Sequence, residues 1–143
     1  TFLCRIAVVS GPSMEKTLYN GEVLLVSDLF YEPKQGDIIV FQSNTILDNE
    51  AIVKRVIATE GQVVDIDFEN WIVYVDGEVL EEDYIREPTW TPEGLEFPVT
   101  IPEDHVFVLG DNRMNSKDAR NTEVGVVQKN DIVGKVIFCI RKY

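Results

Sequence analysis

A serine, a lysine and a second serine are the residues of this sequence that could together carry out nucleophilic chemistry. Ser13 lies in the segment SGPSMEKTL, residues 10–18, where Gly11 permits unusual backbone angles and Pro12 fixes its own φ. A hydroxyl at such a corner can face a substrate while neighbouring N–H groups stay free. Most serines in Gly/Pro turns only shape the turn, so chemistry at Ser13 requires a base from elsewhere in the chain.

Lys54 is the candidate base. In the segment AIVKRVIA, residues 51–58, strand alternation places Lys54 on one face with Ile52, Val56 and Ala58. A lysine on an apolar strand face either extends its amine to water at the sheet edge, which is the ordinary case, or loses water and has its pKa lowered. In the second case a neutral amine could take the proton from a serine hydroxyl, whose own acidity is too low for attack at neutral pH.

The polar segment GDNRMNSKDAR, residues 110–120, is the third candidate region. An Asn- and Asp-rich run of this kind ordinarily forms a solvated turn. Its charges alternate in sign at short range, however, which favours pairing within the loop. Asp118 and Arg120 point the same way if the segment is extended. Ser116 supplies a second hydroxyl that could orient an amine.

A Ser-His-Asp triad is the rival arrangement for a serine nucleophile. It would require His105, the single histidine, which follows the residues IPED at the start of a predicted strand. That position more often holds an exposed histidine, and the sequence lacks the Gly-x-Ser-x-Gly elbow. A Ser–Lys dyad, a known variant of the triad, is the better prediction.

The elements that must position these residues are predicted to be β-strands. Short Val- and Ile-rich segments separated by turn residues indicate an all-β fold of mainly antiparallel sheets. The polar residues 43–50 predict a loop, and prolines at 88, 92, 98 and 102 predict an irregular connection. We predict a catalytic β core of residues 1–62 and 103–143, with residues 63–102 forming a small inserted, non-catalytic β lobe.

Composition narrows the function. The chain has 143 residues, a formal net charge of −12, two cysteines and one histidine. The negative charge argues against a nucleic-acid partner. Cys4, Cys139 and His105 do not make a convincing zinc site, so we expect no metal and no cofactor. The two cysteines could form one disulfide outside the cytosol or remain free thiols.

The start of the chain and its hydropathy bear on a membrane anchor. No stretch approaches the roughly 18 apolar residues of a membrane span. The chain begins abruptly in the strand-like residues TFLCRI, without an initiator Met or a signal sequence. This beginning predicts a fragment cut from a longer protein.

Three segments of the chain resemble the conserved boxes of the type I signal peptidase family: SGPSMEKTL at residues 10–18, KRVI at 54–57 and GDNRMNSKDAR at 110–120. GDIIVF, residues 36–41, is similar to a further box. The resemblance implies two antiparallel sheets with a smaller lobe, on a core shared with self-cleaving repressors. It also implies a serine endopeptidase that removes signal peptides from exported preproteins on the extracytoplasmic side of the cell membrane. The partner membrane would be reached through an N-terminal anchor, which this chain lacks, and through apolar surface.

The resemblance also implies roles for individual residues. Ser13 matches the nucleophile, and its backbone N–H is expected to bind the oxyanion. Lys54 matches the general base, and Ser116 matches the serine that orients the lysine amine. Asp118 and Arg120 match a structural ion pair.

The resemblance further predicts a second ion pair and the substrate pockets. The second ion pair joins Asp111 and Arg55. The pockets would accept small side chains at positions −1 and −3 before the cut. Their walls are expected to be five apolar residues: Val9, Met14, Leu18, Ile52 and Val53.

The chain departs from the family at four positions. Lys16 stands where proline is usual, Met114 where an acidic residue is common, and Ala119 where serine is common. Gly11 occupies a position where some members carry a serine that helps to bind the oxyanion. The first three departures remove no group that performs chemistry. At Gly11 the hydroxyl is absent, so the Ser13 backbone N–H is expected to carry more of the oxyanion binding.

Two other functions are weighed against an active enzyme. A catalytically inactive relative could serve as an assembly or chaperone module, but it would tolerate loss of Ser13 or Lys54, and this chain keeps both. A self-cleaving repressor would need a DNA-binding domain and a cleavable internal segment, and we find neither in the sequence. The active peptidase is the preferred hypothesis.

Overall fold

The computed structural model of the chain describes residues 4–28, 31–43, 46–85 and 92–141. These residues form eleven β-strands and two short 3-10 helices, Arg113–Asn115 and Lys129–Asp131. The strands, in chain order, are β1 (Cys4–Val8), β2 (Val23–Ser27), β3 (Ile38–Ser43), β4 (Ile46–Thr59), β5 (Val63–Asp67), β6 (Ile72–Val75), β7 (Glu78–Val79), β8 (Val99–Thr100), β9 (His105–Leu109), β10 (Val127–Gln128) and β11 (Ile132–Ile140).

The strands form two sheets in which neighbours pair antiparallel. The larger sheet has the order β1-β2-β11-β3-β4-β9-β10, and the smaller has the order β7-β6-β5-β8. The prediction of an all-β, mainly antiparallel fold is confirmed. Within the described residues, no helix has the length and apolar character needed to cross a membrane.

One predicted loop is wrong. Residues 43–50 were expected to be irregular because they are polar, but β3 continues to Ser43 and β4 begins at Ile46. The pairing passes from Gln42 opposite Ala51, through a register shift, to Ser43 opposite Ile46. Main-chain hydrogen bonds hold a strand pair whatever the side-chain polarity, so a polar sequence can extend a hairpin. Residues 44 and 45 lie outside the described residues.

The two sheets share one apolar core. Val64 and Val73 of the smaller sheet are buried in the same cluster as Ile57 and Phe107 of the larger sheet. The strands of the smaller sheet lie between Val63 and Thr100, inside the range 63–102 of the predicted lobe. The division into a core and an inserted lobe stays a prediction, and residues 86–91 of the proline-containing connection lie outside the described residues.

A second apolar cluster supports the turn that carries Ser13. Val9, Met14 and Leu18 from this turn are buried against Leu24 and other residues of the larger sheet. The N–H groups of residues 17 and 18 both donate to the Met14 carbonyl, at 2.8 Å. Packing against the larger sheet and hydrogen bonds within the turn therefore fix its conformation.

Glycine makes the entry to this turn possible. Gly11 has a φ of +84°, a conformation that L side chains rarely adopt. Its N–H donates to Asn20 Oδ1, 2.9 Å away. The chain can therefore turn sharply after β1, and the turn that follows carries Ser13.

Cys4 and Cys139, near the two ends of the chain, are free thiols in the structure. Of the two alternatives left open by the sequence, the structure has the unpaired one.

Candidate active site

Ser13 and Lys54 lie in direct contact. The Lys54 Nζ is 2.8 Å from the Ser13 Oγ, a hydrogen-bond distance, although 41 residues separate them in the chain. Ser13 is held on its turn, and Lys54 projects from β4, which lies between β3 and β9 in the larger sheet. The fold therefore brings the two candidate catalytic groups together.

The Lys54 side chain is withdrawn from water. Only 4% of Lys54 is exposed, and Ile52 and Val56 on the same face of β4 are also buried. Ala58 was expected on this face, but the register shifts after Val56 and pairs Ala58 with Phe107, so the alternation does not extend to it. Burial lowers the pKa of the Lys54 amine from its ordinary value of 10.5 to about 8. Arg120 adds to this lowering, whereas the carboxylates of Asp118 and Asp111 oppose it. The amine can thus be neutral at a pH close to neutrality.

Ser116 is buried near this pair, but its hydroxyl contacts Asp118. The Ser116 Oγ donates to Asp118 Oδ2 at 2.8 Å. Among the described residues, no hydrogen bond joins Ser116 to Lys54. The proposed orienting role of Ser116 stays a prediction, and the contact found here would act on Lys54 through the Asp118 carboxylate.

Asp118 and Arg120 form a fully buried ion pair. The Arg120 Nε and Nη2 lie 2.8 and 3.0 Å from the two oxygens of Asp118. The Gly110 N–H also donates to Asp118, at 2.9 Å. Arg120 in turn donates to the carbonyls of Arg113 and Ser116. The loop of residues 110–120 is therefore folded around this pair and is not a solvated turn.

Arg55 and Asp111 form a second bidentate pair. The Arg55 Nε and Nη2 lie 2.9 and 2.8 Å from the two Asp111 oxygens, and Asp111 is fully buried. Thr17 also donates to the Asp111 carboxylate. The Arg55 guanidinium lies over the Tyr84 ring, 3.9 Å from its centroid. This pair ties β4 to the turn after Ser13 and to the loop after β9.

Asn112 is a site residue that the sequence did not single out. Its backbone N–H donates to the Ser13 carbonyl at 2.9 Å, and its side-chain amide donates to the Pro12 carbonyl, also at 2.9 Å. These bonds hold the nucleophile turn against the loop of residues 110–120. The position of Asn112 beside Asp111, in a loop rich in Asn, gave no separate signal for this contact.

Two acidic residues of the connection between the sheets were also missed. The Glu82 carboxylate lies 2.7 Å from Arg113 Nη2, and both side chains are buried. Glu93 lies 3.4 Å from Arg120 Nη2, and burial raises the pKa of its carboxyl. The connection therefore covers two buried arginines of the loop with two carboxylates.

A cleft of about 220 Å³ opens beside Ser13 and Lys54. Val9 and Met14 line it on one side, and Ile52 and Val53 line it on the other. Leu18, the fifth expected wall residue, is buried in the apolar cluster beneath the turn and does not line the cleft. The cleft also has Ala51, Ser10 and Val8 in its walls.

The Ser13 backbone N–H is available for a ligand. Over the described ranges, this N–H makes no hydrogen bond to the protein, whereas the N–H groups of Gly11 and Asn112 are used. A free N–H on the nucleophile itself can stabilise an oxyanion that forms beside it.

His105 stands apart from the Ser13 hydroxyl. It begins β9, is partly exposed, and its Nδ1 lies 2.8 Å from the Glu103 carbonyl. The base in contact with Ser13 is Lys54. The described part of the chain also contains no group of three or more His, Cys, Asp or Glu side chains placed to hold a metal ion.

Comparisons with known proteins agree on one family. The family described as Signal peptidase, peptidase S26, matches residues 1–141 of the chain. The chain is 38% identical to a probable signal peptidase I of Synechocystis, over 96% of this chain and 71% of that protein. It is 39% identical to a signal peptidase I of Bacillus caldolyticus, over 92% of this chain and 76% of that protein.

A solved structure gives the same result. The crystal structure of a signal peptidase I from Enterococcus faecalis matches with a TM-score of 0.60 and 32% sequence identity. The match covers 74% of this chain and 97% of the other. Both the sequence and the fold are therefore similar to those of signal peptidases.

Proposed function

This chain belongs to the signal peptidase family, peptidase S26, and we propose that it cleaves signal peptides with Ser13 as nucleophile and Lys54 as general base. Membership in the family supports a serine peptidase that acts on signal peptides. The observation that supports the dyad is the 2.8 Å contact between the Ser13 hydroxyl and the buried Lys54 amine.

The first step is attack on the scissile carbonyl. A neutral Lys54 amine takes the proton from the Ser13 hydroxyl as the oxygen attacks the carbonyl carbon. With a pKa of about 8, about a tenth of the lysine is neutral at pH 7. The free Ser13 N–H stabilises the oxyanion of the tetrahedral intermediate. The ammonium of Lys54 then gives its proton to the leaving amine, and the signal peptide stays on Ser13 as an ester.

The second step hydrolyses the ester and returns the enzyme to its starting state. Lys54, again neutral, takes a proton from a water molecule that attacks the ester carbonyl. The signal peptide leaves with a new carboxylate, and the proton on Lys54 returns to Ser13. Asp118 and Asp111 lie close enough to act on the amine electrostatically and limit how far burial lowers its pKa. They keep the base strong enough to hold the proton taken from Ser13 until it passes to the leaving amine.

The cleft supports a preference for small residues at −1 and −3. An extended peptide can lie between residues 7–9 and residues 51–53, using main-chain hydrogen bonds for affinity. Alternate side chains, those at −1 and −3, then point into the protein. The cleft measures about 220 Å³ and is lined by Val9, Met14, Ile52 and Val53, so it has room for small apolar groups. A charged side chain placed against these four apolar residues would lose water without gaining a partner.

Peptide cleavage tests this function directly. Fluorogenic signal-peptide substrates with Ala at −1 and −3 would be compared with versions carrying Lys or Phe at −1. We expect cleavage of the Ala peptides alone, at a bond identified by mass spectrometry, and none by Ser13→Ala. Efficient cleavage after Lys or Phe would contradict the pocket argument. Activity that survives in Ser13→Ala would contradict the nucleophile.

We also propose that the chain works at the extracytoplasmic face of the cell membrane. The support is an apolar face on β1 and β11, where Ile6, Val8, Phe138 and Ile140 are all 58% exposed or more. Their strand registers place these side chains in two neighbouring rows across β2. Val8 also lines the cleft, so the cleft opens beside this face.

Vesicle binding tests the membrane proposal. The protein should sediment with phosphatidylethanolamine–phosphatidylglycerol vesicles, and a Phe138→Glu variant should do so less while cleaving soluble peptides normally. Equal sedimentation of the two proteins would contradict a role for this face.

A further inference from the structure

The cleft beside Ser13 carries opposite charges on its rim. Glu50 and Lys117 line the cleft together with Ser13 and Lys54. Glu50 is exposed, and the Lys117 side chain is 41% exposed. Lys117 pairs with Glu123, whose side chain is 68% exposed. Neither rim residue takes part in the proton transfers between Ser13 and Lys54.

The two rim charges lie toward opposite ends of the cleft. Glu50 precedes Lys54 by four residues on β4, which is about 13 Å along an extended strand. Lys117 directly follows Ser116, which packs with the Ser13 backbone around Gly110. The positive charge therefore stands at the catalytic end, and the negative charge stands at the far end.

The direction of a bound peptide follows from this arrangement. In the binding mode proposed above, residues before the cut lie along residues 7–9 and 51–53, and the chain after the cut leaves the cleft past Ser13. The first side chain on that side is the one at +1. In this binding mode it emerges beside Ser13, on the side where Lys117 follows Ser116.

We propose that Lys117 is a specificity-determining residue that favours substrates with Asp or Glu at +1, an inference that rests on the proposed function. The lysine pairs with Glu123 in the free protein, and an exposed pair of this kind contributes little to stability. A substrate carboxylate can therefore replace Glu123 as its partner at small cost. Glu50 at the other end disfavours a carboxylate there, so the rim also selects the position of the charge.

The net negative charge of the chain opposes a preference for an acidic residue at +1, so such a preference has to come from a nearby group. At −12 the whole protein repels acidic peptides at long range. A preference for an acidic +1 residue must then come from a cation close to the cut, and Lys117 lies there. Salt should weaken the preference because both partners are partly exposed to solvent.

Three peptides and four proteins test the proposal. The peptides carry Ala at −1 and −3 and differ only in Glu, Gln or Lys at +1. The proteins are the unmodified chain, Lys117→Gln, Lys117→Glu and the control Lys34→Gln, which changes an exposed lysine in the turn before β3. For the unmodified chain and the control we expect kcat/KM about threefold higher for Glu than for Lys, an effect of the size of one exposed ion pair. Lys117→Gln should lose the preference for Glu, and Lys117→Glu should prefer Lys.

The outcomes separate this proposal from the proposed function. Equal cleavage of the three peptides by the unmodified chain, or a preference for Glu that persists in Lys117→Glu, would overturn the role of Lys117 alone. Failure of the unmodified chain to cleave any of the peptides would overturn the proposed function and this inference with it. A preference that reverses in Lys117→Glu and shrinks in 0.5 M salt, roughly a 4 Å screening length, supports the proposal.

Discussion

Gly110 lies so close to Ser116 that a Cβ atom added to it would stand 2.0 Å from the Ser116 Oγ. The same atom would lie 2.6 Å from the carbonyl oxygen of Ser13. The Gly110 N–H donates to Asp118, and its carbonyl accepts from Arg113 Nε at 2.7 Å. The absence of a side chain at this position allows the loop with Ser116 to pack directly on the turn with Ser13.

The variant Gly110→Ala should therefore lose activity. We expect the Ser13 turn and the loop to move apart by about 1 Å, with a loss of kcat/KM of about 100-fold. Overpacking should also lower the free energy of unfolding by about 2 kcal/mol. The control is Gly77→Ala, which strains the β6–β7 turn at a φ of +80° but meets nothing within 4 Å. If Gly110→Ala keeps its kcat/KM while Gly77→Ala loses its own, the close approach has no catalytic importance.

The strand pattern could be predicted because it is local. Alternation on β4 placed Lys54 with Ile52 and Val56, and all three are buried. The register shift after Val56 ends this alternation before Ala58. Strand β11 was expected at residues 132–140, which are its bounds in the structure. Side-chain periodicity thus predicts where a strand runs, but not the register shifts that interrupt its alternation.

The hydrogen bonds and ion pairs that hold the site together could not be predicted, because they join segments that are distant in the sequence. Nothing near Asn112 indicates that its amide donates to the Pro12 carbonyl, a contact across 100 residues. Glu82 lies in a proline-containing, acidic connection that looked irregular, yet its carboxylate is held by a buried arginine. Charge composition shows that such groups exist, but their partners depend on the packing of the two sheets.

Both members of the dyad should be essential. Ser13→Ala and Lys54→Ala should each reduce kcat/KM by at least about 1,000-fold, because removing one member of a nucleophile–base unit costs nearly as much as removing both. The measurement is steady-state cleavage of the Ala substrate, with circular dichroism to verify the fold and Lys34→Ala as an exposed-lysine control. A variant that retains more than about a tenth of kcat/KM has lost only ~1.4 kcal/mol of transition-state stabilisation. That result would contradict the assignment of the dyad.

The pH dependence of activity should follow the Lys54 amine. Because the neutral amine is the base, kcat/KM should rise with pH through an apparent pKa of about 8 and then level off. Initial rates between pH 6 and pH 10 would give this profile. His105→Ala should leave the profile unchanged. A rise centred near about 6.5, the usual histidine value, that disappears in His105→Ala would point to a triad instead.

The buried pair between Glu82 and Arg113 should matter for stability. Their side chains are 8% and 0% exposed, so Glu82→Gln removes a buried carboxylate charge that lies 2.7 Å from a buried guanidinium. We expect the free energy of unfolding to fall by about 3 kcal/mol. Glu81→Gln, a change in the exposed neighbouring residue, should have almost no effect. Denaturant titrations of the two variants with equal midpoints would refute the importance of the pair.

Burial of the Lys54 amine should lower the free energy of unfolding. Its pKa is lowered from 10.5 to about 8 by burial, so the folded state binds its proton more weakly than the unfolded state does. Below pH 8 both states are protonated, and the full cost, about 3 kcal/mol for a shift of this size, is present. Between pH 8 and pH 10.5 the unfolded chain holds more protons, so the unfolding free energy rises with pH. Above pH 10.5 the cost is gone.

The variant Lys54→Met isolates this contribution because it keeps an unbranched side chain but cannot be charged. At pH 7 it should be more stable than the unmodified protein by up to about 3 kcal/mol, although inactive. The gain should shrink between pH 8 and pH 10.5, while the tyrosines and other lysines titrate alike in both proteins and cancel in the difference. Urea unfolding at pH 6.5, 8.5 and 10 measures it. A stability difference that is constant over this range would mean that the Lys54 amine is not desolvated in the folded protein, and the case for it as a base would lose its physical foundation.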